Sequence, residues 1–215
     1  MIGVIGAKGG SGRTTTTLGV AQAIGTRQQP ALAVDCDWGM PELHLLANVD
    51  RYPIAKLSDQ DQIPTQSQVR RPDQWSTVRV LPAIEPTREQ GIQQMLDQMR
   101  WEGQIIVDGP SGVGQTVSSI IKASDQVIVT GTGTTVGIQQ TAKTIRMANT
   151  LDTPVISAVI REGTPPYNAF NGIIPECRVH TVPEISDDPL SATATKDAYQ
   201  EISNAIGSVA QKEMV

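Results

Sequence analysis

The sequence predicts an α/β protein with a doubly wound, mostly parallel sheet and helices on both faces. Short apolar runs that are typical of buried strands alternate with helical patterns along the whole chain, which favours a parallel sheet. Several of these runs stop abruptly at glycine or aspartate, as expected where strands meet a ligand at their carboxyl ends. A length of 215 residues suits one well-buried domain and is short for two, so we interpret residues 1–215 as a single domain.

The first element is a strand at Ile2–Ile5, followed by a glycine-rich turn and a helix with apolar positions on one side. The turn allows successive backbone amides to converge on an anion, and the helix N-terminus adds partial positive charge. Thr14 stands where a hydroxyl would bind a magnesium ion that bridges two phosphates. We interpret this turn as a phosphate-binding loop; the alternative is an ordinary surface turn. The loop residues are Lys8, Gly9, Gly10, Ser11, Gly12, Arg13, Thr14 and Thr15.

The loop departs from the usual pattern GxxxxGK(S/T). Ala7 replaces the first glycine, Arg13 replaces the lysine, and an additional lysine, Lys8, precedes the glycine pair. Apart from Arg13, the stretch resembles the deviant Walker A loop KGGxGK(S/T)T of the ParA/MinD family of partition and positioning ATPases. The resemblance implies a P-loop NTPase domain that binds ATP or ADP with Mg²⁺. It also implies a catalytic role for Lys8, which in the family reaches across a dimer to the partner's phosphates.

The second strand, Ala31–Val34, ends at Asp35-Cys36-Asp37. In the ParA/MinD family the strand after the loop helix ends in the same Asp-x-Asp. The resemblance therefore implies that Asp35 lies near the magnesium ion and that Asp37 orients the attacking water. The alternative is a pair of solvated turn aspartates. Residues 38–43 would then form the first switch segment.

The region between the second strand and the next strong motif is less informative. Residues 47–76 show no sustained period and predict a meandering surface region with one short helix. Val78–Pro82 alternates as a strand and stops at its proline. Thr87–Arg100 predicts a helix, with four apolar side chains turned inward at Ile92, Met95, Leu96 and Met99.

A second strong signal is the apolar strand that ends at Asp108. A carboxylate in this position holds a magnesium-bound water in phosphate-transferring proteins, and the following residues 108–112 resemble the family's DxPAG segment. Residues 109–116 also fit the pattern GxxxxGx(S/T). However, Gln115 carries no charge and Asp108 would place an anion beside the phosphates. We therefore interpret this segment as the second switch loop.

The remaining elements continue the alternation. Apolar runs predict strands at Gln126–Val129 and Pro154–Ile160. Helical patterns follow each of them, through Ile138–Met147 and at Ala198–Val209.

The residues at the positions that would bind the nucleotide base differ from those of the ParA/MinD family. In ParA/MinD proteins a strand in this region usually ends in an asparagine that reads adenine, and Arg161 occupies that position here. Arginine has no acceptor, so it could stack on the base without pairing with its amino group. Val182-Pro183-Glu184 resembles the family's IPED-like turn, whose backbone can contact the base. The absence of an Asn-Lys-x-Asp motif favours adenine over guanine.

The charge and hydropathy of the chain limit the kinds of partner that we expect it to bind. The net charge of −5 and the pI of about 5.0 provide no general attraction to nucleic acid or anionic lipid. No apolar run approaches a bilayer span, and the strand at the N-terminus leaves no room for a signal peptide, so we expect a cytoplasmic protein. The tail 211–215 lacks the basic amphipathic helix of membrane-binding MinD proteins, so membrane binding is not expected. Candidate cations for non-specific DNA binding, or an ordinary solvated face, are Lys122, Lys143, Arg146 and Lys196.

The resemblance implies a nucleotide-dependent dimer switch that positions or partitions cargo, either DNA or division machinery. A protein activator or cargo adaptor would be its partner, and Arg13 predicts slow hydrolysis. One alternative, favoured by Arg13 and Arg161, is a regulatory module that binds nucleotide with little or no hydrolysis. Another is a metabolic relative of the same fold, such as an ATP-dependent synthetase or the iron protein of nitrogenase. The two isolated cysteines, Cys36 and Cys177, argue against a shared cluster.

Overall fold

The computed structural model describes residues 1–51, 67–83, 91–161, 177–184 and 188–212, with the backbone alone beyond residue 206. The predicted alternation of strands and helices is confirmed. The elements are β1 (Ile2–Gly6), α1 (Arg13–Ile24), β2 (Ala31–Asp35), α2 (Leu43–Leu46), β3 (Val78–Leu81), α3 (Ile92–Gln98), β4 (Ile105–Ser111), α4 (Gln115–Ala123), β5 (Gln126–Thr132), α5 (Thr135–Thr150), β6 (Val155–Arg161), β7 (Arg178–Val182) and α6 (Thr193–Lys212).

The strands form one sheet in the order β3-β2-β4-β1-β5-β6-β7. Every pairing between these strands is parallel. Helices α3, α4 and α5 contribute to the core on one face, and α1, α2 and α6 contribute to the core on the other. The prediction of a doubly wound sheet with helices on both faces is therefore confirmed.

The central strands are buried on both faces, which explains their uninterrupted apolar sequence. All five residues of β1 and all five of β2 are buried. Ile5 packs into the core beneath α3, α4 and α5, whereas its neighbour Val4 packs beneath α1, α2 and α6. Successive side chains of a strand point to opposite faces, so both faces require apolar residues.

Several boundaries differ from the sequence prediction. Strand β7 was not predicted, because four of its five residues are polar or exposed at this edge of the sheet. Strands β4 and β5 continue to Ser111 and Thr132, so the expected second switch loop begins as strand. Helix α6 starts five residues earlier than predicted, at Thr193. Residues 87–90 of the helix expected at Thr87–Arg100, and residues 52–66, lie outside the described residues.

Helices α1 and α6 approach closely at Gly19. A Cβ atom added there would lie 2.1 Å from Cδ2 of Tyr199, a side chain that is only 2% exposed. We expect Gly19→Ala to lower the free energy of unfolding by about 1–3 kcal/mol, because the buried ring cannot move aside without repacking. Denaturant titration would measure this. Gly91→Ala is the matched control, since nothing lies within 4 Å of a Cβ there, and an equal loss in both variants would contradict the packing argument.

Candidate functional site

The carboxyl ends of four strands meet at one edge of the sheet. Gly6 at the end of β1 is paired with Ser111 of β4 and Thr130 of β5, and Asp35 of β2 is paired with Asp108 of β4. The loops that follow these strands therefore lie side by side. This edge contains the predicted phosphate loop and both predicted magnesium carboxylates.

The predicted phosphate loop is an open turn at the start of α1. Gly10 and Gly12 have left-handed backbone angles, with φ of 75° and 84°, which glycine adopts without strain. No described residue accepts a hydrogen bond from the amides of Gly9 or Gly10, and a Cβ on either would meet nothing within 4 Å. Helix α1 also has no side-chain cap at its N-terminus. These free donors at a helix N-terminus fit a bound anion.

The loop is held at its base by buried hydroxyls. The Ser11 hydroxyl is 2.9 Å from that of Thr130, and a Cβ on Gly6 would lie 2.6 Å from both hydroxyl oxygens. The loop is thus anchored to β1 and β5, while its glycine tip is left open.

Asp35 and Asp108 are each only 2% exposed. Burial is the main cause that raises the pKa of Asp35 to about 7. Burial and then repulsion from Asp35 raise the pKa of Asp108 to about 8, against a lowering hydrogen bond from the Thr14 hydroxyl. Burial, which disfavours the charged form of a carboxyl, is thus the largest cause of both shifts. Two carboxyls and one hydroxyl suit Mg²⁺, which usually takes its other ligands from phosphate and water.

Arg13 contacts both the phosphate loop and Asp37. Its guanidinium donates to the backbone oxygen of Lys8 at 3.1 Å and to Oδ2 of Asp37 at 3.3 Å. The Arg13 and Asp37 side chains are only 10% and 15% exposed, and the buried Arg13 Nε atom has no hydrogen-bond partner among the described residues. The two residues that the sequence assigned to phosphate binding and to water orientation are therefore paired with each other.

Three of the four predicted base-binding residues, Arg161, Val182 and Pro183, line a small cavity beside the first turn of α1. Arg161 pairs with Glu184 at 3.7 Å, and its Cδ atom lies 3.2 Å from where a Cβ on Gly12 would stand. The cavity volume is about 30 Å³, room for about two water molecules. Its walls are formed by Gly12, Thr15, Thr16, Val159, Arg161, Val182, Pro183, Pro189 and Tyr199.

Comparison with known proteins agrees with this geometry. The family model ParA, described as an NUBPL iron-transfer P-loop NTPase, matches residues 1–162. The chain belongs to the ParA family. The septum site-determining protein MinD of Synechocystis sp. (strain ATCC 27184 / PCC 6803 / Kazusa) is 21% identical over 182 residues, which cover 81% of this chain and 68% of that protein.

Solved structures of two related proteins have the same fold as this ParA-family chain. MinD from Pyrococcus horikoshii OT3, complexed with Mg-ADP, superimposes with a TM-score of 0.78 at 18% identity. The superposition covers 97% of this chain and 96% of the MinD chain. The ATP complex of a Cyanothece McdA variant superimposes with a TM-score of 0.74 at 14% identity. The superposition covers 96% of this chain and 95% of the McdA chain.

Tyr199 of helix α6 is a residue of the site that the sequence did not reveal in this ParA-family chain. Its hydroxyl lies 3.2 Å from that of Thr16 in α1, its ring packs against Gly19, and burial raises its pKa to about 12. Helix α6 therefore contributes a neutral wall to the cavity. The one sequence signal was Gly19, since a glycine inside a helix often marks close packing.

Other candidate residues are not brought together. Cys36 is buried in the core, where burial raises the pKa of its thiol well above the ordinary range, while Cys177 precedes β7 at the far side of the sheet. Among the described residues no group of three or more His, Cys, Asp or Glu side chains is placed to hold a metal ion. The DNA candidates Lys122, Lys143, Arg146 and Lys196 are exposed on three different helices.

A helix that crosses a bilayer must be about 20 residues long and predominantly apolar. This requirement was applied to the helices among the described residues. None of them is both long and apolar enough to cross a membrane.

Proposed function

We propose that this ParA-family chain binds ATP and ADP with Mg²⁺ at the carboxyl edge of its sheet. The observation that carries this proposal is the meeting, at one edge, of an open glycine loop at a helix N-terminus with two buried carboxyls. The Mg-ADP bound by the Pyrococcus MinD and the ATP bound by the Cyanothece McdA variant support the same ligand here.

Each part of the edge has a proposed role. The amides from Gly9 to Gly12 and the start of α1, with Thr15, bind the phosphates because they lack other acceptors. Thr14, Asp35 and Asp108 hold the Mg²⁺ ion directly or through water, and the ion offsets the phosphate charge. The bound cation would also remove the repulsion between the two buried carboxyls.

We propose that the base lies against Arg161 and the Val182–Glu184 turn. The cavity of about 30 Å³ is far smaller than a purine, so the base enters only when the Arg161–Glu184 pair moves. That pair is accessible enough to do so, because its side chains are 35% and 55% exposed. The guanidinium can then stack on the ring, and adenine remains the proposed base.

We propose that ATP converts the protein into a face-to-face homodimer that positions cargo, through a protein activator or cargo adaptor and with non-specific DNA as a candidate matrix. Two features support an interface at the carboxyl edge. Lys8 is exposed and has no ion pair among the described residues. Three large apolar side chains project from loops and a helix start at this edge: Met40, Val113 and Val136 are 70%, 63% and 61% exposed.

We propose that hydrolysis is slow. The guanidinium of Arg13 is bulkier and more fixed in direction than the lysine ammonium of the family loop, so it follows the phosphates less well during transfer. The same substitution favours the second candidate function, a nucleotide-binding regulatory module with little or no hydrolysis. The two functions share the binding site and differ only in turnover.

The binding proposal predicts magnesium-dependent heat on mixing with ATP or ADP. Asp108→Asn should weaken binding in the presence of Mg²⁺ by about tenfold to a hundredfold, the usual cost of losing a group that supports a metal. Calorimetry with and without a chelator would measure both. Asp97→Asn is the matched control, because Asp97 is exposed on α3. Absence of heat with either nucleotide would contradict the proposal, whereas a strong preference for GTP would contradict only the choice of base.

A further inference from the structure

Arg13 connects the phosphate loop to the loop that follows β2, residues 36–42. Its guanidinium donates to Oδ2 of Asp37 at 3.3 Å, and Oδ1 of the same carboxylate accepts from the Met40 amide at 3.1 Å. The Asp37 amide donates in turn to Asp35 at 3.0 Å, and the Leu43 amide donates to the other oxygen of Asp35 at 3.3 Å. The conformation of loop 36–42 therefore depends on a carboxylate that Arg13 holds.

A bound phosphate could replace Asp37 as the ion-pair partner of Arg13. Arg13 is the first residue of α1, next to the open amides of the phosphate loop, and in the part of the chain that the structure describes its buried Nε atom has no hydrogen-bond partner. A phosphate carries more negative charge than one carboxylate and offers several oxygens to the planar fork of an arginine. A nucleotide in the loop would thus compete with Asp37 for the same cation.

We propose that the Arg13–Asp37 ion pair is a latch that phosphate releases. Without nucleotide, it ties loop 36–42 to the phosphate loop. When the phosphates bind, Arg13 transfers to them, and Asp37 and the loop are freed. This inference rests on the proposed nucleotide binding, and it assigns to Arg13 a sensing role that a compact lysine ammonium would fill less well.

The latch has a consequence for the outer surface. Met40, bound through its amide to Asp37, is 70% exposed at the edge where we place the dimer interface. Release of the loop would rearrange this apolar side chain. Because coupling is reciprocal, a second copy of the chain that binds the released loop would also raise the affinity for nucleotide.

The latch predicts that removing the carboxylate tightens nucleotide binding. Asp37→Asn should bind Mg-ADP about fivefold to thirtyfold more tightly than the native protein. In the variant, Arg13 does not have to break an ion pair before it binds the phosphates. Hydrogen exchange should show loop 36–42 protected in the ligand-free native protein and exposed after addition of Mg-ADP or sodium pyrophosphate. In ligand-free Asp37→Asn the loop should already exchange faster. Asp97→Asn is the matched control for the loss of one carboxylate.

The outcomes separate the latch from the function on which it rests. Two results would overturn the latch and leave nucleotide binding intact. One is that the native protein binds Mg-ADP with no change in the hydrogen exchange of loop 36–42. The other is that Asp37→Asn binds Mg-ADP no more tightly than the native protein does. Absence of binding by every variant overturns both. If Asp37→Asn fails to fold, as circular dichroism would reveal, the exchange of the native loop with and without Mg-ADP decides the question.

Discussion

Arg13→Lys is expected to raise the rate of ATP hydrolysis by about tenfold to a hundredfold, the range that a misplacement of about 1 Å can cost. The physical reason is the shape of the cation. A lysine ammonium is a compact charge that follows the β- and γ-phosphates during transfer, whereas the guanidinium is bulkier and fixed in direction.

The measurement is phosphate release at saturating Mg-ATP by the native protein and by Arg13→Lys. Arg27→Lys is the matched control, because Arg27 is exposed and remote from the carboxyl edge. Affinity for ATP should change far less than turnover, since the positive charge is kept. A native rate already typical of a working ATPase, or a rate that falls when lysine is restored, would show that Arg13 is no handicap.

Lys8→Ala is expected to remain monomeric with ATP while it still binds the nucleotide. Lys8 is exposed in the phosphate loop, and it forms no ion pair among the described residues. A lysine that reaches the phosphates of a second copy would neutralise charge across the interface. Without it, two ATP-loaded faces repel each other, and the apolar side chains at the edge must overcome that repulsion alone.

Light scattering with no nucleotide, with ADP and with ATP, each with magnesium, would measure this. The native protein should dimerise with ATP alone. Lys122→Ala is the matched control, because Lys122 is exposed at the end of α4 and so lies at the opposite edge of the sheet. Dimerisation of Lys8→Ala equal to that of the native protein would remove Lys8 from the interface, and a native protein that dimerises without nucleotide would contradict the switch.

Much of the site was visible in the sequence because its signals are local. The glycine loop, the hydroxyl at Thr14 and the strand ends at Asp35 and Asp108 each depend on a few adjacent residues. Parallel strands bring their carboxyl ends to one edge, so predicting the sheet was sufficient to bring these pieces together. In the structure, Asp35 of β2 is paired with Asp108 of β4.

The edge of the sheet was harder to predict. Strand β7 pairs with β6 in parallel, yet its exposed, mostly polar residues lack the apolar run that marks a buried strand. The extension of β4 through residues 109–111 was missed for a different reason. Glycine and proline indicate a turn in isolation, whereas here the strand passes through an irregularity and pairs again with β1 at Ser111 and Gly6.

The order of the strands from β1 to β6 and the chemical composition of the phosphate loop could be predicted from the sequence, because both depend on short spacings and on periodicity. The partners of the charged groups could not. Arg13 meets Asp37, 24 residues further along the chain, and Arg161 meets Glu184. The raised pKa values of Asp35 and Asp108 likewise arise from burial in the folded sheet. Side-chain partners and burial depend on which strands pair and which helices cover them, and no local pattern contains that information.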